Sequence, residues 1–430
     1  MKIKDLLLLG LLTMSGIEAF AATAWTKVNG VVYRYNDAAP DDGATVEGVL
    51  AATNATTVSI EAAITYPEDP SKKLKVIGFD ANWYNFGDHD AYDYQDVTHV
   101  TENLSVDVSN LTGMFSDQAQ KLESLKKLTL SGEYTVNNYR LEGVLNDKMT
   151  ELDLSGLKGH EKVLIAEVDD NVQKITLPTQ QPVEILTEAF KNGDLTELTI
   201  PSNVTVIAAD AFGGTGSLAK LTIDNANITA IPDEMFIDSP IADLSIKAAE
   251  LTAIGAKAFD SYVGTKIDLS QCPKLVTVSA GSFPANAYTE VKLAGTAIDQ
   301  ANFEKAISWV ASAKTSLETI TLPEAITTIP AAAFKEYTAL KGITFPDAVT
   351  EIKENAFNGC TALEAVALNK VAKIGASAFE GCNNAKVKAL TIPATVTTVG
   401  ADAFKNMSSL EEVTVIGNFD NLGAWFTSDN

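Results

Sequence analysis

A two-residue tag, a small residue followed by phenylalanine, recurs from about residue 170 onward and constrains the fold of the chain more than any other feature. Successive phenylalanines lie 22, 24, 23, 24, 51, 23, 22 and 25 residues apart. A period near 23 residues with one doubled interval is typical of stacked structural units rather than of separate globular domains. The tags end at Phe190, Phe212, Phe236 (a weaker copy, after Met235), Phe259, Phe283, Phe334, Phe357, Phe379 and Phe404.

The same apolar rhythm precedes each tag. One copy reads Leu195, Leu198, Ile200-Pro201, Val204, Ile207 and Ala211-Phe212. The alternation before proline predicts a short strand with every second side chain facing inward. Proline ends the strand because it has no N–H to donate. The following Val-x-x-Ile step predicts a return limb, and the tag turns the chain with its phenylalanine between the two limbs.

No unit of this length buries both of its faces alone, so the units must cover one another. We therefore predict a β-rich repeat solenoid with short strands. About a dozen coils at ~4.8 Å each would give a rod on the order of 55–60 Å long. The repeated leucines, isoleucines and phenylalanines are then core residues, and none of them is a site.

These residues also resemble a known family. The unit L-x-x-[LI]-x-[IL]-P-x-x-[VI]-x-x-[IV]-x-x-x-A-F is similar to the leucine-rich repeat of BspA-like bacterial surface proteins, over about residues 170–416. Weaker copies open at Leu125 and Met149, and residues 58–79 resemble a degenerate opening repeat. Residues 25–33 resemble the N-terminal strand cap of the family, which is needed because an open solenoid end exposes core and strand edge.

The first residues predict export. Lys2 and Lys4 precede the apolar run 6–12, and Ala19-Phe20-Ala21 supplies small residues before a cut. This order is that of a secretory signal peptide, and the run is too short to span a bilayer. No cysteine follows the cut, so we expect no lipoprotein anchor. The predicted divisions are a signal peptide over 1–21, a cap with degenerate repeats over 22–110, the solenoid over 111–419 and a tail over 420–430.

The doubled interval holds an insertion. Within residues 299–313 the residues Phe303, Ala306, Ile307 and Val310 share one helical face, and Asp299 is a suitable N-cap. The pattern predicts one inserted helix. Two interpretations remain open: a helix packed against the solenoid, or a partner-docking helix that uses an exposed Trp309.

A second irregular segment, residues 82–96, combines aromatic rings with carboxylates. It contains Trp83, Tyr84, Phe86, Tyr92 and Tyr94 together with four aspartates. Aromatic faces beside carboxylates suit sugar rings, and clustered aspartates suit Ca²⁺, although the spacing is not that of an EF-hand loop. Glycan or protein contact, Ca²⁺ binding and a self-packed surface loop all remain open.

The cysteines and histidines do not form a catalytic or metal-binding motif. Cys360 and Cys382 follow consecutive tag phenylalanines by three residues, so we expect them to stack inside the solenoid as buried thiols or, alternatively, as a disulfide. Cys272 has no equivalent partner. With three histidines in the chain and no recognisable catalytic spacing, we predict no cofactor, no metal and no catalysis.

Charge narrows the class of partner. The chain has 32 basic and 56 acidic residues, a formal charge of −24, which repels the phosphates of nucleic acids. We predict an exported binding protein with a protein ligand, and the family resemblance implies adhesin-like contact with host matrix proteins at a cell surface. The alternative is a glycan-binding or polysaccharide-handling protein that uses residues 83–96. An enzyme is the third possibility, and no residue is nominated for it.

Overall fold

The computed structural model confirms a repeat solenoid. It describes six N-terminal strands by their backbone between residues 23 and 79, and then residues 103–107, 125–133, 148–158, 162–165, 168, 170–208, 210–419 and 422–426. These residues form a β-solenoid of about twelve turns with a period of about 23 residues. In most turns a strand of one limb, called the first limb, is followed by a strand of the return limb, and the tag then closes the turn.

In chain order the strands are β1 (Thr23–Val28), β2 (Val31–Asn36), β3 (Ala44–Val49), β4 (Thr57–Ile60), β5 (Ala63–Thr65), β6 (Lys73–Phe79), β7 (Asn103–Asp107), β8 (Lys127–Glu133), β9 (Glu151–Lys158), β10 (Val163–Ile165), β11 (Lys174–Thr176), β12 (Val183–Ile185), β13 (Glu197–Pro201), β14 (Val204–Ile207), β15 (Lys220–Asp224), β16 (Ala230–Ile231), β17 (Asp243–Lys247), β18 (Ala253–Ile254), β19 (Lys266–Asp268), β20 (Thr277–Val278), β21 (Glu290–Lys292), β22 (Thr319–Thr321), β23 (Thr328–Ile329), β24 (Gly342–Thr344), β25 (Glu351–Ile352), β26 (Lys373–Ile374), β27 (Ala389–Ile392), β28 (Thr398–Val399) and β29 (Glu412–Val415). The insertion holds helix α1 (Gln300–Ala306) and a 3₁₀ helix (Ser308–Ala313), and a second 3₁₀ helix spans Leu422–Trp425.

The first limb forms three parallel sheets along the rod. Their strand orders are β17-β15-β13-β11-β9-β8-β7-β4, then β19-β21-β22-β24, then β27-β29. Equivalent residues align from coil to coil, as in Leu198, Leu221 and Leu244. Inward side chains such as Leu198 and Ile200 are buried while Thr199 between them is exposed. The alternation predicted from the sequence is confirmed.

The return limb forms three further parallel sheets. Their orders are β10-β12-β14, β16-β18-β20 and β23-β25-β26-β28. The strands are only two to four residues long, and buried residues such as Ile231, Ile254 and Val278 align from one coil to the next. Short strands suffice in this limb because every strand has parallel neighbours and one face in the core.

The tags form a continuous corner of the solenoid. Neighbouring phenylalanine rings stack with centroids 5.0–5.7 Å apart, from Phe190 to Phe283 and again from Phe334 to Phe404. The corner backbone also joins the coils, since Phe357 N donates to Ala378 O at 2.8 Å. The alanine of the tag allows this close approach, and the inward placement of the phenylalanine is confirmed.

Left-handed backbone recurs at each corner. The residue before each tag has φ between 52° and 76°, and only one of these residues is glycine. A second left-handed residue often follows the phenylalanine by two positions, as in Gly359 and Asn406. The polar corner residues were not identified from the sequence, although asparagine and aspartate tolerate this conformation better than most residues. The residues before the tags are Glu188, Asp210, Glu234, Lys257, Gly281, Ala332, Asn355, Ser377 and Asp402.

The insertion packs into the solenoid. Asp299 caps α1 by accepting a hydrogen bond from Asn302 N at 3.0 Å, as predicted, and Phe303 and Val310 are buried. The predicted single helix over 299–313 is wrong in its second half, because only 300–306 is α-helical and 308–313 is a 3₁₀ helix. The change follows Ile307, whose φ of −106° and ψ of 0° end the α-helix.

The two ends of the rod differ from the interior. At the N-terminal end β1, β2, β3, β6 and β5 form a five-stranded sheet in that order, while β4 joins the solenoid beside β7. At the other end Phe426 stacks on Phe404 at 5.6 Å, and Phe404 N donates to Trp425 O at 2.9 Å. Residues 422–426 are therefore a last partial turn, where the sequence predicted only a tail.

Candidate binding face

A shallow groove of about 290 Å³ lies on the outward face of β11, β13 and β15. It opens between two rows of side chains that follow the first limb, one of charged residues and one of threonines. We call this surface the binding face. It is lined by Lys174, Ile175, Thr176, Leu177, Thr179, Glu197, Leu198, Thr199, Pro201, Lys220 and Thr222.

Hydroxyl groups form one row of the binding face. Thr199 aligns with Thr222, which aligns with Ser245 on the next strand. Thr176 occupies the equivalent position on β11, two residues after Lys174. These side chains point outward because the intervening residues fill the core, and each can donate and accept a hydrogen bond.

Charges of alternating sign form the other row. Along β8, β9, β11, β13, β15 and β17 the strand register brings each charge beside an opposite charge on the next strand, and Lys266 is beside Glu290 in β19 and β21. Each charged residue directly precedes the second apolar position of its repeat. The alternation of sign can therefore be found in the sequence, but the apolar pattern alone did not reveal it. The row is Lys127, Glu151, Lys174, Glu197, Lys220, Asp243, Lys266 and Glu290.

Several neighbours in this row form ion pairs. Nζ of Lys127 lies 3.5 Å from Oε2 of Glu151, and Nζ of Lys174 lies 3.1 Å from Oε1 of Glu197. The hydrogen bond to Glu197 raises the pKa of Lys174 above its ordinary value. Each pair is solvent-exposed and contributes little to stability. The main effects of the row are to keep the local surface potential near neutral and to favour the observed strand register.

A second row of alternating charge begins after the insertion, one register position earlier. Lys341 N donates to Glu318 O, and Glu364 N donates to Lys341 O, so these residues follow one another along the rod. Nζ of Lys341 lies 2.7 Å from Glu318 Oε2, and Nζ of Lys388 lies 2.6 Å from Glu411 Oε1. The insertion therefore separates two blocks of coils whose charges occupy different positions.

The cluster of Asp268, Glu290 and Lys292 crosses the boundary between two strands. Nζ of Lys292 lies 3.1 Å from Asp268 Oδ2 and 3.3 Å from Glu290 Oε1. Partial burial would raise the pKa of Asp268, but hydrogen bonds from Ser270 and Lys292 lower it below its ordinary value. The hydrogen bond from Lys292 also lowers the pKa of Glu290.

The thiols are buried and unbonded. Cys272, Cys360 and Cys382 are free cysteines inside the core, which confirms the buried-thiol prediction against the disulfide. Burial raises the pKa of Cys360 to about 12 and that of Cys272 to about 11. A thiol kept protonated in this way is a poor nucleophile and a poor metal ligand.

Of the candidate ligand-binding residues named from the sequence, the structure describes Trp309. Trp83, Tyr84, Phe86, Tyr92 and Tyr94 lie outside the described residues. Trp309 is 5% exposed, and its ring centroid lies 5.2 Å from that of Phe283 and 5.1 Å from that of Tyr288. The docking helix with an exposed Trp309 is contradicted by this burial. The bulky indole fills the core beside Phe283 at the coil where the phenylalanine ladder is interrupted.

Neither a metal centre nor a membrane helix is found in the described part of the chain. No group of three histidine, cysteine, aspartate or glutamate side chains is arranged to hold a metal ion there. Among the same residues, no helix has the length and apolar character needed to cross a bilayer.

Comparison with solved structures finds other leucine-rich repeat proteins. A leucine-rich repeat protein from Bacteroides ovatus is 17% identical, with 90% of this chain and 94% of that chain covered and a TM-score of 0.37. A leucine rich cell surface protein from Faecalibacterium prausnitzii is 21% identical, with 95% and 98% covered and a TM-score of 0.28. The pneumococcal vaccine antigen PcpA is 17% identical, with 92% and 82% covered and a TM-score of 0.24.

The family assignment rests on the sequence of the repeat, since these superpositions are too loose to support it. No curated protein matches the chain. Six copies of the BspA type leucine rich repeat region match over residues 183–308 and 305–429, which is more than half of the chain. The chain therefore belongs to the BspA type leucine-rich repeat family.

Proposed function

We propose that this protein is an exported, adhesin-like binding protein that engages a protein ligand through the binding face. The observation that carries the proposal is the groove on β11, β13 and β15, flanked by the threonine row and by charges that neutralise one another. Such a face offers hydrogen-bonding groups on a rigid scaffold, so little conformational entropy is lost when a ligand binds.

Charge distribution supports a partner recognised by hydrogen bonding and shape. Residues 1–250 hold 38 acidic and 18 basic residues, so the excess negative charge belongs mostly to that part of the chain. The binding face lies in the same part but carries paired charges of both signs. A protein ligand can therefore approach it without strong repulsion of either sign, and electrostatic steering contributes little.

The groove also limits the expected affinity. No tryptophan, tyrosine or arginine lines it, and these residues supply most of the energy at tight protein interfaces. We propose modest affinity for a single copy and stronger attachment when many copies act together at a cell surface. Host extracellular matrix proteins are the proposed ligands, and no catalytic role is proposed.

Export and domain division remain part of the proposal. Residues 1–21 act as the signal peptide, residues 22–110 as the cap with degenerate repeats, and residues 111–419 as the solenoid. The signal peptide lies outside the described residues, and its support is the order of basic, apolar and small residues in the sequence.

The test compares matched substitutions on two faces of the rod. Thr176→Arg with Thr199→Arg places two bulky cations on the binding face, and Thr205→Arg with Thr229→Arg places two on the return limb. Both pairs replace exposed threonines, so folding should be preserved in each. Binding is measured by surface plasmon resonance against immobilised extracellular matrix proteins and glycans. We expect a loss of at least tenfold in affinity for a matrix protein with the first pair alone.

Equal effects of the two pairs would overturn the proposed face. The alternative function, glycan binding through residues 83–96, has its support in the five aromatic residues and four aspartates of that segment. Its test is Trp83→Ala with Tyr84→Ala in the same measurement. Glycan binding that is lost with these substitutions, with unchanged thermal unfolding, would transfer the function to that segment.

A further inference from the structure

One edge of β29, the last described strand of the first limb, has no partner among the described strands. Among the described residues β29 pairs only with β27, and the two strands are parallel. Glu412 N donates to Lys388 O at 3.0 Å and Ile416 N donates to Ile392 O at 2.9 Å. Peptide groups alternate sides along a parallel strand, so the N–H and C=O groups of Val413 and Val415 face away from β27. A strand edge of this kind is a template for another strand.

Apolar surface lies beside this edge. Val413 occupies the register of Leu390, which is buried, yet Val413 is 39% exposed, since none of the described coils covers it. Ile416 beyond it is 52% exposed. A groove of about 450 Å³ continues this surface. It is lined by Phe404, Asn406, Met407, Ser408, Leu410, Glu411, Val413 and Phe426.

The charge row ends on two carboxylates at the same edge. Glu411 forms an ion pair with Lys388 on the side of β27, and Glu412 follows it. In this row Glu364 N donates to Lys341 O of the preceding coil, and Glu364 Oε1 lies 2.6 Å from Nζ of Lys386 in the next coil. A strand added beside β29 would complete the pattern only if it carried a lysine opposite Glu411.

The charges also discriminate between possible occupants of the edge. A second copy would present its own β29, which carries the same two carboxylates and no lysine, so pairing of two such edges gains no charge complementarity. A basic segment gains that complementarity. It would also cover Val413 and Val415 if apolar residues followed its lysines at alternate positions.

We propose that the open edge of β29 binds an extended, basic segment of a partner protein, which adds in parallel as a further strand. Two adjacent lysines of that segment lie beside Glu411 and Glu412, and its apolar residues lie over Val413 and Val415. The backbone hydrogen bonds supply affinity, and the lysines with the alternate apolar residues supply specificity. This site is at the end of the rod and is independent of the binding face.

The chain itself contains a suitable probe. Residues 125–131 read Leu-Lys-Lys-Leu-Thr-Leu-Ser, and within the solenoid Lys127 Nζ lies 3.5 Å from Glu151 Oε2 of the neighbouring parallel strand. An acetylated, amidated and fluorescein-labelled peptide of this sequence is titrated with the full chain, and fluorescence anisotropy is recorded. The matched control peptide replaces both lysines by glutamate. We expect saturable binding of the lysine peptide and at least tenfold weaker binding of the glutamate peptide.

Two protein variants locate the site. Val413→Pro removes an outward N–H from an edge strand, where proline is tolerated, and should weaken binding at least tenfold with unchanged circular dichroism. Glu411→Lys with Glu412→Lys should reverse the preference, so that the glutamate peptide binds more tightly. The charge-reversal variant keeps the test decisive if the proline variant does not fold. Val263→Ala, at an exposed valine elsewhere, should leave binding unchanged.

Other results would overturn the proposal. Absence of binding, equal binding of the two peptides, or insensitivity to both variants would exclude a basic strand at this edge. Self-association seen by sedimentation and lost with Val413→Pro would assign the edge to a second copy. Binding that appears only after removal of residues 427–430 would assign it to that segment of the same chain.

Discussion

Each core thiol lies against a carbonyl oxygen of the preceding coil. Cys360 Sγ donates to Phe334 O at 3.0 Å, and Cys382 Sγ donates to Phe357 O at 3.2 Å. Burial of both side chains disfavours the charged thiolate and raises the pKa of each group above its ordinary value. The third residue after the tag phenylalanine, which is cysteine in these two consecutive coils, therefore serves to pack the core.

Thiol reactivity gives a direct test of this burial. We expect alkylation of Cys272, Cys360 and Cys382 by iodoacetamide at pH 8 to be slower in the native chain than in urea by roughly a thousandfold, because the thiolate is rare and inaccessible. Mass spectrometry over time measures the rate at each residue. Ser217→Cys, at an exposed position, is the control and should react at the ordinary rate. Rapid native alkylation of Cys360 would contradict the buried position.

The left-handed corners make a prediction about two glycines. Gly359 has φ of 74°, and a Cβ there would meet no atom closer than 3.6 Å, so the cost of Gly359→Ala is conformational. We expect a loss of about 1 kcal/mol in the free energy of unfolding. Gly342→Ala is the matched control, since no atom lies within 4 Å of its Cβ position and its φ is not left-handed. Urea unfolding measures both, and equal effects would remove the conformational explanation.

At the scale of the element, the phenylalanine ladder joins consecutive corners. The ring centroid of Phe357 lies 5.4 Å from that of Phe334 and 5.2 Å from that of Phe379, and all three side chains are buried. Phe357→Ala leaves a cavity that two neighbouring coils share, and we expect a loss of about 3–5 kcal/mol by urea unfolding. Val263→Ala should change stability by under about 0.5 kcal/mol, because that valine is 55% exposed. A loss under about 1 kcal/mol for Phe357→Ala would contradict the ladder.

The strand-crossing cluster around Lys292 predicts a pH dependence. Its carboxylates, Asp268 and Glu290, have pKa values lowered in the folded chain, so their pairing stabilises the fold above about pH 4 and is lost as pH falls through the folded pKa values. Lys292→Met should therefore cost about 0.5–1 kcal/mol at pH 7 and nothing near pH 2. Lys247→Met, at a lysine without an ion pair in the described structure, is the control. A deficit that persists near pH 2 would exclude the electrostatic cause.

The strands and corners of the solenoid could be predicted from the sequence, because the apolar residues that form them recur at a fixed spacing. Leu198 and Phe212 recur with their neighbours at a fixed spacing, so inward placement follows from stacking alone. The end of α1 at Ala306 and the 3₁₀ helix after it depend on the local backbone and on packing around Trp309. The insertion occurs once, so the periodic pattern of the repeats contains no information about it. The closing turn at Phe426 was missed because Ala424-Trp425-Phe426 separates the alanine and phenylalanine of the tag. The groove on the binding face depends on the lengths of the outward side chains on three neighbouring strands, and the apolar period of the repeat carries no information about those lengths.

At the scale of the whole molecule, each coil contacts mainly its two neighbours, so stability need not be uniform along the rod. We expect native-state hydrogen exchange to give opening free energies for β29 about 1–2 kcal/mol below those of β13, because among the described strands β29 has one neighbour and β13 has two. Mass spectrometry after pepsin digestion measures the difference. Equal protection of both strands would indicate that the array opens as one cooperative unit.

Because the charge row alternates in sign, basic and acidic strands alternate from coil to coil between β8 and β17. Deleting or duplicating one coil between β8 and β17 would bring like charges together at a single junction, whereas a change of two coils would keep every neighbour opposite in sign. Recombination between repeats should therefore be tolerated more readily in even steps, and only within a block on one side of the insertion. The rod can lengthen as a series of coil pairs, each composed of one basic and one acidic strand.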